Sequence, residues 1–547
     1  MNVFHRKIYA LIQSGAIAIP SDRLDCLSEH LTQLDQWWTT QGKLATQIAQ
    51  PNILEELGIS LTAPQTDQPN NQQEIEIRHP ISGQSHRIPK IDWQTAWEEI
   101  TPAHVLTEIN PQKVFTWLWR FYPERLCEKY PSAYLYPSHL HTPDSPIYGY
   151  GSTVSAIAGA LFPDDWQPNT APKRPYILLF TFSPVQEFVK ASRKLLDFWA
   201  GSYTLHYLSA WLCWQVAAEL GADSILTPSL WSQPIADAFL YQATDDLLPN
   251  CPETLEQLKK VIDDGSLRVA GFPNYMAILV SGKDESIAWQ QKLETALRDR
   301  WLELGRGIRQ CIKGNVRTYL REYLNEGDRR KKVYAEICEQ PADSRDLELL
   351  QQGDGGAWEW NALWEAQLSH TWESYTAAIP LGHPDFPLEI SINDEKLTEW
   401  IAAQEHITQS RQPTVNIEQL QEIADNQPVT TINVGIWWAK TSARLARTIQ
   451  ESKNTRNWAI PASPGKRSSL SGLFSAVHPR LLYRDRFREA GGLPEGSQKL
   501  FWRLLAKVFV GIFDGSEHLN AIELTKRMAW CYGDRNMAIT LGIKVDT

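Results

Sequence analysis

Cysteine is scarce in this sequence and never closely paired. Cys26, Cys127, Cys213, Cys251, Cys311, Cys338 and Cys531 are widely spaced with no Cys-x-x-Cys, so neither a disulfide framework nor a cysteine-built zinc site is expected. No apolar run is long enough to span a bilayer. The N-terminus also lacks the basic region, apolar stretch and small-residue cleavage site of a signal peptide. A cytoplasmic protein without a membrane partner is expected. Positive charge is in deficit too: 53 Lys and Arg against 64 Asp and Glu give a net charge of −11. That balance excludes broad coating of nucleic acid and leaves room only for a local basic patch. Phosphate-cradling glycine motifs are missing as well. Gln352-Gly-Asp-Gly-Gly356 has neither the Lys-Ser/Thr of a phosphate loop nor a Gly-x-Gly-x-x-Gly between strand and helix, and reads as a flexible turn.

What is present is length and tryptophan. The 547 residues suffice for about three or four domains, and 23 of them are Trp, read mainly as packing. The most informative stretch runs from Tyr176 to Tyr203. Tyr176–Phe182 is a short apolar run bounded by Pro175 and Pro184, which predicts a buried strand. Ser183 is then expected to cap a helix with Pro184 in its first turn. That helix would carry Val185, Phe188, Ser192, Leu195, Leu196 and Trp199 on one face, with Glu187, Lys190, Arg193, Lys194 and Asp197 opposite. Tyr203 to Leu220 continues as helix until Gly221.

Elsewhere, residues 1–60 have a helical pattern with Phe4, Ile8, Leu11 and Ile12 as one stripe. Residues 63–76 are polar and read as a loop, and Trp93 to Tyr122 is helical again. A proline-rich turn follows, with His139, His141 and Asp144 close enough to ligate a metal, although ordinary loop histidines are the simpler reading. Strands are expected at Ser224–Leu230, Tyr275–Val280 and Thr371–Leu381, with a helix from Glu285 to Cys311 and another to Leu324. These are compatible with a βαββαβ core carrying insertions. An amphipathic helix from Val434 to Gln450 buries Trp438, Leu445 and Ile449. It turns Lys440, Arg444 and Arg447 outward, beside Lys453 and Arg456, where they are solvated or meet RNA phosphates.

The wording of three segments resembles one family. Phe-Ser-Pro-Val-Gln-Glu-Phe at 182–188, Arg-Lys-x-x-Asp-x-Trp-Ala-Gly-Ser-Tyr at 193–203 and Gly-Ala-Asp-Ser-Ile-Leu-Thr-Pro-Ser-Leu at 221–230 are similar to the large subunit of type III, Cmr-type (III-B) CRISPR effector complexes. The resemblance implies an α+β chain: a helical HD-like domain (1–171), a first ferredoxin-like Palm domain with insertions (172–432) and a helical domain (433–547) at the place of the family's zinc domain. The HD signature's positions are held by Gln13, Ser14, Ser145 and Tyr150, and the zinc positions by Ser468, Ser471, Asn520 and Glu523. None of these sets favours a transition metal, so packing or hydrogen bonds are expected in the metals' place. The family's catalytic Gly-Gly-Asp-Asp turn, which would present paired carboxylates to metal and nucleotide phosphates, does not occur in the sequence.

No catalytic residue is therefore assigned, and the sequence reads as the N-terminal half of such a subunit. One candidate nucleotide pocket remains at the turn after the first Palm strand, with Ser183, Gln186, Arg193, Gly201 and Ser202 on one side. The bland alternative is that Ser183 only caps and Gly201 only permits close packing. The implied partners are the other effector subunits and, through them, a guide RNA. A competing reading is half of a split cyclic oligoadenylate synthetase, using ATP with magnesium once a separate polypeptide supplies the second Palm. A third is a tryptophan-rich scaffold. A lone first Palm is expected to leave one apolar sheet face uncovered.

Overall fold

A computed structural model describes residues 1–49, 74–78, 84–139, 142–263, 267, 271–324, 337, 350–351, 363–381, 435–454, 466–477 and 495–529. The glycine-rich segment 352–356, residues 63–73, His141, Val434 and Arg456 lie outside them. The core is a four-stranded antiparallel sheet of β5 (Pro175–Ser183), β6 (Ile225–Thr227), β7 (Tyr275–Ser281) and β8 (Glu373–Pro380), in the order β6-β7-β5-β8. Two short ladders precede it, β1 (Glu74–Arg78) with β2 (Ser85–Pro89) and β3 (Pro137–His139) with β4 (Thr142–Pro146). Helices connect β5 to β6 and β7 to β8, so the sheet is built as β-α-β-β-α-β with further helices inserted between β6 and β7.

Strand alternation sends successive side chains to opposite faces. Leu178, Phe180, Phe182, Met276, Ile278 and Val280 join one core with the helices Leu195–Leu220 and Gly282–Leu324. Ile177, Ala277, Leu279, Tyr375 and Ala377 join a second core with the N-terminal helices. Both faces of the sheet are thus buried, correcting the expectation of an uncovered face. The covering comes from the N-terminal helix Ile147–Leu161, on which Val3–Gln13 packs in turn, and from Leu445 and Ile449 of the helix Gly435–Asn454. Arg444 and Arg447 of that last helix point to solvent.

Local corrections have local causes. Ser183 ends β5 and caps nothing; the following helix is only Gln186–Lys190, with Val185 at its start and no side-chain cap. The expected continuous helix breaks at Ala191–Lys194 because Asp197 Oδ2 accepts the N–H groups of Arg193 and Lys194, both at 3.1 Å, and so starts a new helix at Leu195. A carboxylate reaching back to free N–H groups in this way defines a helix start. Asp197, expected outside, is fully buried, while Leu195, expected inside, is 83% exposed. The loop expected over residues 63–76 gives way at Glu74 to β1, whose Ile75 is buried against Ile88. The strand expected at Ser224–Leu230 shortens to Ile225–Thr227 before Pro228, which cannot donate to a ladder. The two helices expected between Glu285 and Leu324 are one, with Ile308, Ile312, Val316 and Leu320 buried across the supposed break.

Candidate functional site

The turn after β5 leads to a buried charge cluster. Arg527, near the end of the helix Ala521–Met528, donates from Nε to Asp197 Oδ1 at 2.6 Å, from Nη2 to Asp197 Oδ2 at 2.8 Å and from Nη1 to Glu517 Oε1 at 2.9 Å. All three side chains are buried. Burial alone would raise the Asp197 carboxyl, but the Arg527 guanidinium and the two backbone N–H groups outweigh it and hold it below the ordinary range. Lys526 next to it donates from Nζ to the Phe188 carbonyl at 2.7 Å and also to the Ala191 carbonyl. Burial lowers its ammonium to about 8.

This cluster occupies much of the expected nucleotide turn. A Cβ on Gly201 would lie 3.1 Å from Lys526 Cδ and 3.6 Å from Val189 Cα, so the glycine serves close packing. Arg193 contributes its backbone N–H to Asp197. Ser202 is half-buried on the same helix as Gly201. Ser183 lies elsewhere, opposite Glu373 in the sheet, and Gln186 is exposed with its side-chain Oε1 accepting from Lys190 Nζ at 3.3 Å. Sequence reasoning missed Asp197, Glu517, Lys526 and Arg527. Nothing local in the sequence announces the burial of the last two.

The four zinc-position residues do come together. Ser468 Oγ donates to Glu523 Oε2, the Ser471 N–H donates to Glu523 Oε1 at 3.0 Å, and the Asn520 N–H donates to Glu523 Oε2 at 3.2 Å. In return, the Glu523 N–H donates to Asn520 Oδ1 at 2.9 Å, completing a capping box on Ala521–Met528. One buried carboxylate therefore gathers the segment around 468–471 onto this helix. Two hydroxyls, one of them (Ser471 Oγ) accepting the Leu473 N–H at 3.3 Å, with an amide and a carboxylate already engaged with each other, do not fit zinc.

The HD positions also converge in part. Ser14 closes the helix Val3–Gln13, its Oγ donating to the Leu11 carbonyl at 2.9 Å. A Cβ on Gly151 would come within 2.9 Å of that Oγ, which places the Ser14 segment against the start of Ile147–Leu161, where Tyr150 is buried. Gln13 is exposed, and Ser145 sits half-buried in β4. This donor set, with no imidazole or carboxylate, does not fit an HD metal centre. Among the described residues no group of three or more His, Cys, Asp or Glu is placed to hold a metal ion. The side chains of His139 and Asp144 lie outside the description, as His141 does entirely. No helix among the described residues is long and apolar enough to cross a membrane.

Residues 177–306, from β5 into the long helix after β7, match the family model described as CRISPR-associated protein Cmr2, N-terminal. The Cmr subunit Cmr2 of the CRISPR system of Pyrococcus furiosus is 27% identical over 228 residues, covering 40% of this chain and 24% of that protein. Two solved structures are similar. A chain of the type III-B Cmr-beta cryo-EM structure in the apo state has a TM-score of 0.49 and 14% identity, covering 99% of this chain and 51% of that one. A chain of the Cmr-beta structure bound to cognate target RNA has 0.48 and 13%, covering 92% and 46%. The chain thus spans about a quarter of the curated relative and about half of the solved chains. The stretch 177–306 is thus the part of the chain that is similar to the N-terminal region of Cmr2.

Proposed function

We propose that the chain works as a subunit of a type III-B CRISPR RNA-guided effector complex, as a structural element rather than as its nuclease or cyclase. The observation that carries this is the position of the family match: residues 177–306 supply three of the four central strands. The β6-β7-β5-β8 order of a β-α-β-β-α-β unit supports reading this sheet as a ferredoxin-like Palm. The HD positions offer no His-Asp pair, and the sequence contains no Gly-Gly-Asp-Asp, so this chain's own residues provide neither metal-dependent centre. With the sheet covered on both faces, partner contact falls elsewhere. Leu195 and Val510 are each 83% exposed and Phe198 is 53% exposed, and apolar exposure of this kind favours a protein partner. The other Cmr-type subunits and, through them, a guide RNA are the partners proposed. Affinity purification of a tagged copy from its own cells, with mass spectrometry and RNA sequencing, tests this. Co-purifying Cmr subunits and guide RNA are expected; a monodisperse monomer free of both would refute it.

A second reading draws on the same strand order: binding of ATP with magnesium at the turn after β5, once a separate polypeptide supplies a second Palm. The filling of the space beside Gly201 by Lys526 weighs against it. Calorimetry with ATP and magnesium on the wild type and on Ser183→Ala and Gln186→Ala decides. Affinity unchanged in both variants removes the pocket from that turn.

A further inference from the structure

Helix ends leave carbonyls without partners, and one such end lies at the seam between the N-terminal helices and the sheet unit. The helix Leu195–Leu220, which carries the chain from β5 towards β6, stops at Gly221 with φ of 94° and ψ of 146°. That ψ lies outside the left-handed conformation of the usual glycine cap, in which returning N–H groups take the last carbonyls. Here, among the described backbone N–H groups that follow, Gly221 alone donates back into the helix, to the Ala217 carbonyl at 3.0 Å. Two further carbonyls are met from the N-terminal side. Gln112 Nε2 donates to the Ala218 carbonyl at 2.8 Å, and Lys7 Nζ donates to the Leu220 carbonyl, which Ser224 Oγ also reaches at 3.2 Å.

Lys7 arrives at this helix end through a slot. A Cβ on Gly159, in the helix Ile147–Leu161, would collide with Lys7 Cε, and a Cβ on Gly221 would stand 3.0 Å from Lys7 Nζ. The two glycines leave room for an unbranched stem. At its tip the buried ammonium also meets Asp223 Oδ1 at 2.7 Å and Ser224 Oγ at 3.0 Å. The preceding residue does the same inside the N-terminal unit: Arg6 donates from Nε to the Phe162 carbonyl at 2.8 Å and from Nη2 to the Pro163 carbonyl at 2.7 Å, just beyond Ile147–Leu161. Val3–Gln13 thus caps one helix on each side of the seam.

We propose that the N-terminal unit docks as the missing C-terminal cap of Leu195–Leu220, with Lys7 as the key that admits one docking geometry. A buried ion pair adds little net stability over apolar side chains of similar size, because both charges lose their water. It does penalise misplacement, since a lysine moved off its acceptors is a buried charge alone. The negative end of the helix dipole favours the cation at the same spot. Apolar neighbours on Val3–Gln13, such as Ile8 and Leu11, make no such directional demand. What Lys7 contributes is therefore orientation, and it holds the N-terminal unit in one register over the sheet face that this unit covers. The device stands independently of any role in an effector complex.

Spin labels on genetically encoded side chains at Glu29 and Glu294, exposed positions with one in each unit, report the docking geometry of the full chain as a distance distribution. The wild type is expected to give one narrow peak. Lys7→Met should lower the urea midpoint, since Asp223 is left buried without its cation. Lys7→Met combined with Asp223→Asn, which removes both charges, should regain most of that midpoint and yet give a broad or two-peaked distribution. Gly159→Ala keeps both charges and only narrows the slot. It should broaden the distribution as well, and it serves where Lys7→Met does not fold. The wild type's narrow peak in either the charge-free or the Gly159→Ala variant would overturn the proposal by leaving orientation to the apolar contacts. A charge-free variant as unstable as Lys7→Met would overturn it by making the pair a source of strength.

Discussion

At the seam between the N-terminal helices and the sheet unit, Lys7 pairs with Asp223 at 2.7 Å and Arg120 with Asp237 at 2.6 Å. At the seam with the C-terminal helix, Arg527 grips Asp197 and Glu517 together. All these pairs are buried, yet their carboxyls respond in opposite directions. Burial raises Asp223 and Asp237 above the ordinary range despite their partners, while Asp197 is held below it. Asp237, like Asp197, receives two guanidinium nitrogens, so a forked ion pair is not the deciding difference. Asp197 additionally accepts from the N–H groups of Arg193 and Lys194, whereas the charge of Glu124 pushes Asp237 further up. Asp223 too accepts from Lys7, Ser155 and the Ser224 N–H, so the balance between burial and the donors aimed at each carboxylate, rather than the presence of a cation, sets the direction.

The comparison breaks most readily at Arg527. Arg527→Met leaves Asp197 without its cation and Glu517 with only Lys194 at 3.7 Å, and should cost about 3–5 kcal/mol in urea unfolding. Arg120→Met should cost less, about 2 kcal/mol, because an already raised Asp237 takes up a proton instead; equal losses in the two variants would end the distinction. Glu523→Gln keeps the shape of the hub beneath Ser468 and Ser471 but removes its charge, and a loss of about 1–2 kcal/mol is expected by thermal denaturation.

A further effect is one of pH. His206, whose Nδ1 accepts the N–H groups of Gly271 and Phe272 at 3.0 Å, is lowered by burial to about 4. Its neutral form is therefore favoured by folding. The stability tied to it is full above pH 6.5 and is lost as pH falls from 6.5 to 4. Asp197 loses its contribution only lower, as pH falls below about 4 through its depressed folded value. Melting temperatures from pH 7 to 4 should decline less steeply in His206→Asn than in the wild type; parallel curves would take His206 out of the acid response.

The strands were legible because apolar runs such as Tyr176–Phe182 and Tyr275–Val280 are bounded by prolines, glycines and polar turns. Their order across the sheet was not, since pairing β5 with both β7 and β8 depends on segments far apart in the chain. The second covered face escaped for the same reason: Ile177 and Leu279 look like any strand residues until the N-terminal helices arrive. A helical wheel put Asp197 opposite Phe188, which holds only if one helix runs through both, and the carboxylate itself forbids that. The resemblance located Ser468, Ser471, Asn520 and Glu523, but not that one carboxylate would bind the other three. The lysine slot between Gly159 and Gly221 left no signal, because its walls come from separated segments with no shared motif.

Asp197 and Arg527 are 330 residues apart, which has a consequence during synthesis. At about 5–20 residues per second, the carboxylate emerges on the order of 20–60 seconds before the guanidinium that neutralises it. Until then the helix from Leu195 carries a charge at a position destined for burial, so its first turn cannot settle into its final packing. The nascent chain should hold this region open until nearly all of the sequence up to Arg527 has left the ribosome. A stalled chain ending before Ala521 should accordingly be cut by protease near residues 191–197, whereas the released full-length chain resists there.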